Sequence, residues 1–191
     1  MNFLAHLYLA GDVEGAIVGN FIGDFVKGKD FNNYPPDICK GIVMHRSIDL
    51  FTDKHPVVHN STVRFREKYS HYAPVLTDII YDHFLSINWN KFSKISIDIF
   101  IKNTYQLLSK NIGIMPLSVQ SFLPNLIARG RLESYIHPEG IQDALVWMSQ
   151  KTSLPNHTEF AMDVFHKHYQ AFNTEFLSFF PEIIKYIRGN T

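Results

Sequence analysis

Leu76, Ile79, Ile80, Phe84 and Ile87, in the stretch PVLTDIIYDHFLSINW, recur three or four residues apart. That is the period of a helix with one buried face, not the alternation of a strand. The same period runs through nearly every segment. Helices are expected over 12–27, from Asp37 to Asp53, from Pro56 through VVHNSTVRFREKY and from Pro74 onward. Further helices are expected at about 94–110, 117–129 and 139–150. A long aromatic-rich helix is expected to start near Thr158, with Pro181 kinking or breaking it. Pro56 and Pro74 suit the first turn of a helix, and the position before Pro56 disfavours helical geometry, which ends the preceding one. No strand pattern reaches a useful length, and neither a repeat nor a linker is visible. A length of 191 residues suits one domain with a full core. The expected fold is therefore an all-α, single-domain helical bundle over residues 1–191.

Composition narrows the functional classes. Apolar residues make up 46% and charged residues 19%, the balance of a folded chain. Eighteen basic and eighteen acidic residues cancel, so net charge gives no reason to expect a nucleic-acid partner. Cys39 is the single cysteine; it excludes an internal disulfide and a thiolate metal cluster, and it fits a reducing cytoplasm. The opening MNFLAHLYLAGDVEG lacks the basic start and small-residue cleavage site of a signal peptide, and His6 interrupts its apolar run. No stretch approaches the ~18 uninterrupted apolar residues of a membrane span. A cytoplasmic protein without a membrane segment is expected; the oligomeric state is left open.

Two patterns stand out from this background. Gly15, Gly19 and Gly23 lie four apart in DVEGAIVGNFIGDFVK, with Asn20 and Asp24 on the neighbouring stripe. Each glycine costs a helix ~1 kcal/mol against alanine, so three in register imply close packing of another backbone. The second pattern is GIVMHRSIDLFTDKHP, where His45, Asp49 and Asp53 stand at every fourth position and so along one side of a helix. His6, Asp24, His55, Asp82 and His83 add further ionisable groups among large apolar neighbours. A buried unpaired ion costs several kcal/mol, a large share of a stability of ~5–15 kcal/mol. Such groups must reach solvent or share a cation. The pair His45 and Asp49, with Asp82 and His83 from a second helix, is the best ligand constellation. Its oxygen and imidazole donors favour Mn²⁺, Mg²⁺ or Fe²⁺ over Zn²⁺. His59, His71, His137, His157, His166 and His168 read as surface groups, and neither a phosphate loop nor a serine nucleophile elbow is present.

In MNFLAHLYLA, GNFIGDFVKG (19–28), GIVMHRSIDLFTDKHP (41–56) and DHFLSINW (82–89), taken in this order, the chain resembles the acyl-carrier-protein phosphodiesterases. These motifs cover the first ninety residues or so; later, only the helical character and FLSFFPEI match. That family is regarded as a divergent relative of the HD phosphohydrolases, so the resemblance implies an HD-phosphohydrolase-like helical fold. It implies removal of the 4′-phosphopantetheine arm from a serine of holo-acyl carrier protein, with Mn²⁺ or Mg²⁺ required. His6, Asp24, His45, Arg46, Asp49, Asp53, Asp82 and His83 fall on the family's motif positions. Gln150 and Lys151 stand where an arginine is expected, which places in doubt an anion contact there.

Phosphodiester hydrolysis needs an activated water and positive charge around the phosphoryl oxygens, and a divalent metal supplies both. The expected metal ligands are Asp24, His45, Asp49, Asp82 and His83, with His6 and His83 as ligands or proton carriers. Arg46, through its fork of donors, suits a phosphate oxygen or an ion pair with an aspartate. Lys27, Arg64 and Arg66, with Lys29, Lys54, Lys68 and, more weakly, Asp53, are expected near an acidic carrier-protein partner. Two other readings stay open: an HD-type phosphohydrolase of a nucleotide or small phosphodiester, and a non-enzymatic carrier-protein-binding helical protein.

Overall fold

Prolines and tightened turns set the helix boundaries. The computed structural model describes residues 1–190, and its helices are α1 (Phe3–Leu9), α2 (Glu14–Ile22), α3 (Pro36–Lys54), α4 (Pro56–Val63), α5 (Arg66–Tyr69) and α6 (Ala73–Ile87). They continue with α7 (Ile97–Lys110), α8 (Leu117–Ala128), α9 (Arg131–Ser134), α10 (Pro138–Lys151), α11 (Thr158–Lys167) and α12 (Tyr169–Asn190). No strand occurs among the described residues, so the all-α expectation holds. Pro36, Pro56 and Pro138 sit at the first position of their helices, where the missing N–H has no intrahelical partner to lose. Ser96 caps α7, its side chain accepting from the Ile99 N–H.

Three boundaries differ from expectation, the first being the helix expected from Pro56 through VVHNSTVRFREKY, which a turn at Arg64 and Phe65 splits into α4 and α5. The helix expected over 12–27 stops at Ile22 and tightens into a 3₁₀ turn, Gly23–Phe25, which changes the direction of Asp24. The long aromatic helix is interrupted at His168, between α11 and α12, and not at Pro181. Pro181 lies inside α12 at an exposed position. A proline there removes one N–H and disturbs the carbonyl four residues earlier, and a solvent-facing position leaves that carbonyl's needs to water.

The helices belong to two compact units that interleave in sequence. One comprises Phe3–Asp49 and Trp89–Glu133; the other comprises Met1–Asn2, Leu50–Asn88 and the chain from Ser134 onward. In the first unit, α2 and α3 approach at backbone distance. A Cβ on Gly19 would stand 2.9 Å from the Gly41 Cα and closer still to the Ile38 carbonyl oxygen, and one on Gly15 would stand 2.6 Å from the Asp37 Cβ. This is the packing that the spacing of Gly15 and Gly19 anticipated. Leu4 and Leu7 of α1, Val18 and Phe21 of α2, and Ile42 and Ile48 of α3 are buried.

In the second unit α12 packs on α4 and α6, and α10 packs on α6 and α11. Its interior is aromatic: Phe65, Tyr69, Tyr81, Phe84, Phe172, Phe176, Phe179 and Phe180 are all fully buried. One group of polar side chains inside this unit is mutually satisfied. Arg64 makes a two-armed contact of 2.7 Å each with the Glu175 carboxylate, which also accepts from Ser61. Among the described residues, no helix is long and apolar enough to cross a membrane.

Candidate metal centre

The site forms where α1, the end of α2 and the middle of α3 meet, all within the first unit. α1 brings His6, which is buried among Leu4, Ala5 and Leu7. α3 brings His45 and Asp49, one turn apart on one face, as their spacing predicted. The 3₁₀ turn after α2 brings Asp24. The approach of α2 to α3 has a further glycine dependence: a Cβ on Gly23 would stand 2.5 Å from His45 Cδ2. Gly23 thus faces the imidazole itself, and its missing side chain is the space His45 fills.

The two imidazole rings stack, with centroids 4.0 Å apart and planes inclined by 17°. Both direct Nε2 toward the Asp49 carboxylate: His6 Nε2 lies 3.0 Å from Oδ1 and His45 Nε2 lies 3.0 Å from Oδ2. His45 Nε2 is also 3.1 Å from Asp24 Oδ1. On the opposite side of each ring, Nδ1 meets Asn20: His6 Nδ1 is 2.8 Å from its Oδ1, and His45 Nδ1 is 2.9 Å from its backbone oxygen. The histidines are buried, whereas the Asp49 side chain is 34% and the Asp24 side chain 71% exposed.

Electrostatics separates the two rings. Burial and the neighbouring His45 push the His6 pKa down to about 4, against the hydrogen bond that the Asp49 carboxylate accepts from it. His45 is pushed up to about 9: burial works against its charged form, but hydrogen bonds to Asp24 and Asp49 outweigh it. The hydrogen bond to His45 holds the Asp24 carboxyl below its ordinary value. Burial works against charge on Asp49, and the hydrogen bonds from both histidines overcome it. Near neutrality one imidazolium faces two carboxylates, an excess of negative charge.

His6, His45 and Asp49 each offer a ligand atom, all within 4.8 Å of one another, and this group could hold a metal ion. The donor set fits: two imidazole nitrogens and carboxylate oxygens, with no sulfur. The two 3.0 Å separations run to different oxygens of Asp49, Oδ1 for His6 and Oδ2 for His45. The same distances serve the hydrogen bonds of the cation-free site.

The other expected site residues have different surroundings. Arg46 donates to the Gly28 and Val26 carbonyls, both at 2.8 Å, and lies over the Phe31 ring at 5.1 Å. Its fork therefore clasps the segment that follows Asp24. Asp82 and His83 belong to the second unit and to α6, and both are buried. His83 has both nitrogens engaged, Nδ1 with the Tyr135 carbonyl at 2.8 Å and Nε2 with the Tyr169 hydroxyl at 3.1 Å. Arg64 is held by Glu175. Asp53, Lys27 and Arg66 are exposed, as are Gln150 and Lys151.

Asn20 is the residue whose part sequence reasoning did not identify. It appeared only as a neighbour of the glycine stripe, and a buried asparagine four residues before Asp24 was the available signal.

Comparison with known proteins completes the description. The family model described as acyl carrier protein phosphodiesterase matches residues 1–183, well beyond the motifs of the first half. A relative from Yersinia pestis named acyl carrier protein phosphodiesterase is 31% identical over 97% of this chain and 96% of its own. One of the same name from Photorhabdus laumondii subsp. laumondii is 33% identical, over 97% of this chain and 94% of its own. No solved structure matches. The chain belongs to the acyl carrier protein phosphodiesterase family.

Proposed function

We propose that this chain hydrolyses the phosphodiester that joins 4′-phosphopantetheine to a serine of holo-acyl carrier protein, using Mn²⁺ or Mg²⁺ and releasing the apo-protein. Family membership makes it a phosphoric diester hydrolase. The observation that carries the finer reading is the convergence of His6 Nε2, His45 Nε2 and the Asp49 carboxylate. A divalent cation at such a group lowers the pKa of water and offsets charge on the phosphoryl oxygens.

The chain's own residues divide the remaining tasks. His6, His45 and Asp49 would hold the cation, with Asp24 as a further ligand or as the carboxylate that accepts the proton of the attacking water. Asp24 is the exposed member, and the side it occupies is the one a partner-borne phosphodiester can reach. Arg46 keeps the Val26–Gly28 backbone in place beside Asp24. Lys27 and Lys29 are exposed on that segment and suit an acidic partner, chiefly by speeding encounter. Asp82 and His83 stay in the reading as residues of the second unit; the two hydrogen bonds of His83 support an anchoring role for it.

The test is incubation of the purified chain with holo-carrier protein and Mn²⁺, followed by intact mass. Loss of the phosphopantetheine arm, abolished by His45→Ala in a variant that still folds, is the expected result. Turnover of nucleotides without loss of the arm, or neither bound metal nor turnover, overturns the proposal.

A further inference from the structure

Asn20 touches both histidines with chemically similar atoms, its own Oδ1 for His6 and its backbone oxygen for His45. It is fully buried, and its Nδ2 has no hydrogen-bond partner. That combination is costly: an unpaired buried donor forfeits about 1–3 kcal/mol. A leucine of similar size would avoid the cost, so the cost calls for a reason.

The backbone contact is the simpler half. A carbonyl oxygen can only accept, so His45 Nδ1 must carry a hydrogen, and the neutral ring then holds its lone pair on Nε2. The acceptor is available because α2 ends here. Asn20 is among the last four residues of that helix, whose carbonyls lack a full set of intrahelical partners. Its oxygen takes the Gly23 N–H on one side and His45 on the other. Gly19 brings α2 against α3 closely enough for this reach.

The side-chain contact has two possible senses. With Oδ1 toward His6, Nδ1 carries the hydrogen and Nε2 presents a lone pair, the form in which a cation would take the place of the hydrogen bond to Asp49. With the amide turned over, Nδ2 would donate to Nδ1, and Nε2–H would donate to the Asp49 carboxylate 3.0 Å away. Only the first sense makes His6 a ligand, and it is the one that leaves Nδ2 unpaired.

We propose that Asn20 is the positioning residue of the centre: its two carbonyl oxygens fix both histidines as Nδ1–H tautomers, so that both Nε2 lone pairs face the cation. This rests on the metal-binding reading above and deepens it. Ring N–H groups held by carbonyl acceptors are the usual support of metal-bound histidines.

Three proteins and two measurements test it. Mn²⁺ affinity is measured by calorimetry for the wild type, Asn20→Leu and Asn20→Asp. Leucine removes the side-chain acceptor at similar volume; aspartate keeps an acceptor oxygen and lacks a donor. The expected result is a 10- to 100-fold weaker Mn²⁺ affinity for Asn20→Leu, with Asn20→Asp within a few-fold of wild type. A residue that merely filled space would give the reverse order, because a buried carboxylate disturbs a core more than leucine does. Wild-type affinity in Asn20→Leu, or weaker binding in Asn20→Asp than in Asn20→Leu, overturns the proposal and leaves the metal reading intact. A wild type that binds no Mn²⁺ overturns both. Should a variant fail to fold, ¹⁵N-histidine NMR of the Mg²⁺-loaded wild type decides: Nδ1–H on both His6 and His45 is expected, and Nε2–H on His6 refutes it.

Discussion

Gly23→Ala perturbs the site without altering any ligand. The Gly23 backbone has φ −53° and ψ −42°, which alanine adopts without strain, so the consequence comes from the added methyl alone. That methyl would stand 2.5 Å from His45 Cδ2 and 2.6 Å from His45 Cβ, where ordinary contact begins at 3.4 Å. The imidazole must therefore retreat by roughly 1 Å. Its Nε2 lies 3.0 Å from Asp49 and 3.1 Å from Asp24, and a displacement of that size cannot keep both contacts at hydrogen-bond length and angle. A functional constellation tolerates ~0.5 Å, and a 1 Å misplacement costs about 10²-fold in rate. Stability changes less. Overpacking costs about 1–3 kcal/mol, and replacing glycine returns about 0.5–1 kcal/mol, a net loss worth a fall of at most roughly 10 °C in Tm. The assay is Mn²⁺-dependent release of the phosphopantetheine arm, followed by intact mass, with a Mn²⁺ titration and a thermal melt on the same samples. Gly113→Ala is the control, because a Cβ there meets nothing within 4 Å. A Gly23→Ala protein with wild-type turnover and Mn²⁺ affinity would refute the placement of His45 in the centre.

Gly19→Ala confronts backbone at Ile38 and Gly41 instead of a movable ring; a loss of about 3 kcal/mol and a Tm drop of roughly 6–12 °C are expected, and a melt at or above wild type would contradict the α2–α3 packing. Arg46→Lys keeps the charge but cannot span the Val26 and Gly28 carbonyls with one planar fork. Limited proteolysis within residues 26–31 should accelerate while stability falls by about 1 kcal/mol or less; unchanged proteolysis with a large loss of turnover would point to phosphate contact instead. Burial lowers the pKa of His83 from its ordinary 6.5, so the unfolded chain takes up the proton first and stability falls as pH drops below 6.5. His6 acts in the same direction, whereas the contribution of His45, raised from 6.5 to about 9, is full below 6.5 and is lost as pH rises from there through about 9. A shallower acid-side decline of Tm in His83→Asn is expected between about pH 6.5 and 5, where unfolded-state carboxylates are still ionised; an unchanged slope would show that His83 is charged when folded.

Period and spacing carried much of this structure. The three- and four-residue recurrence in 74–89 became α6, and Gly15 and Gly19 marked a real backbone approach. His45 and Asp49 came together because i and i+4 lie on one face. What spacing cannot supply is the direction of a side chain where a helix ends. Asp24 was placed on a continuing helix, yet the 3₁₀ turn at Gly23–Phe25 redirects it. Arg46 was read as a phosphate ligand or the partner of an aspartate; its actual acceptors are backbone carbonyls eighteen and twenty residues away, which no local pattern encodes. Asn20 escaped for a related reason, since half of its part belongs to the backbone and has no residue type to notice. Pro181 was overestimated because a proline's cost depends on whether the freed carbonyl can reach water.

For the proposed cation, exposure across the cluster separates a structural role from a reactive one. A structural site is closed by its ligands, whereas a catalytic site keeps a position for water and substrate. Here the imidazoles of His6 and His45 are buried, the Asp49 side chain is one-third exposed and Asp24 is 71% exposed. The imidazole nitrogens thus lie inward and the carboxylates outward. A phosphodiester carried on a folded partner cannot be engulfed; it must meet the reactive groups at the surface on the end of an arm. An arrangement anchored by buried rings and bordered by an exposed aspartate suits that demand better than a deep closed pocket would. Lys27 and Lys29 are exposed in and just after the segment clasped by Arg46, where positive charge can guide an acidic surface. Removing both lysine charges should therefore slow encounter and flatten its salt dependence while leaving Mn²⁺ affinity unchanged, the opposite of what loss of Asn20 should do.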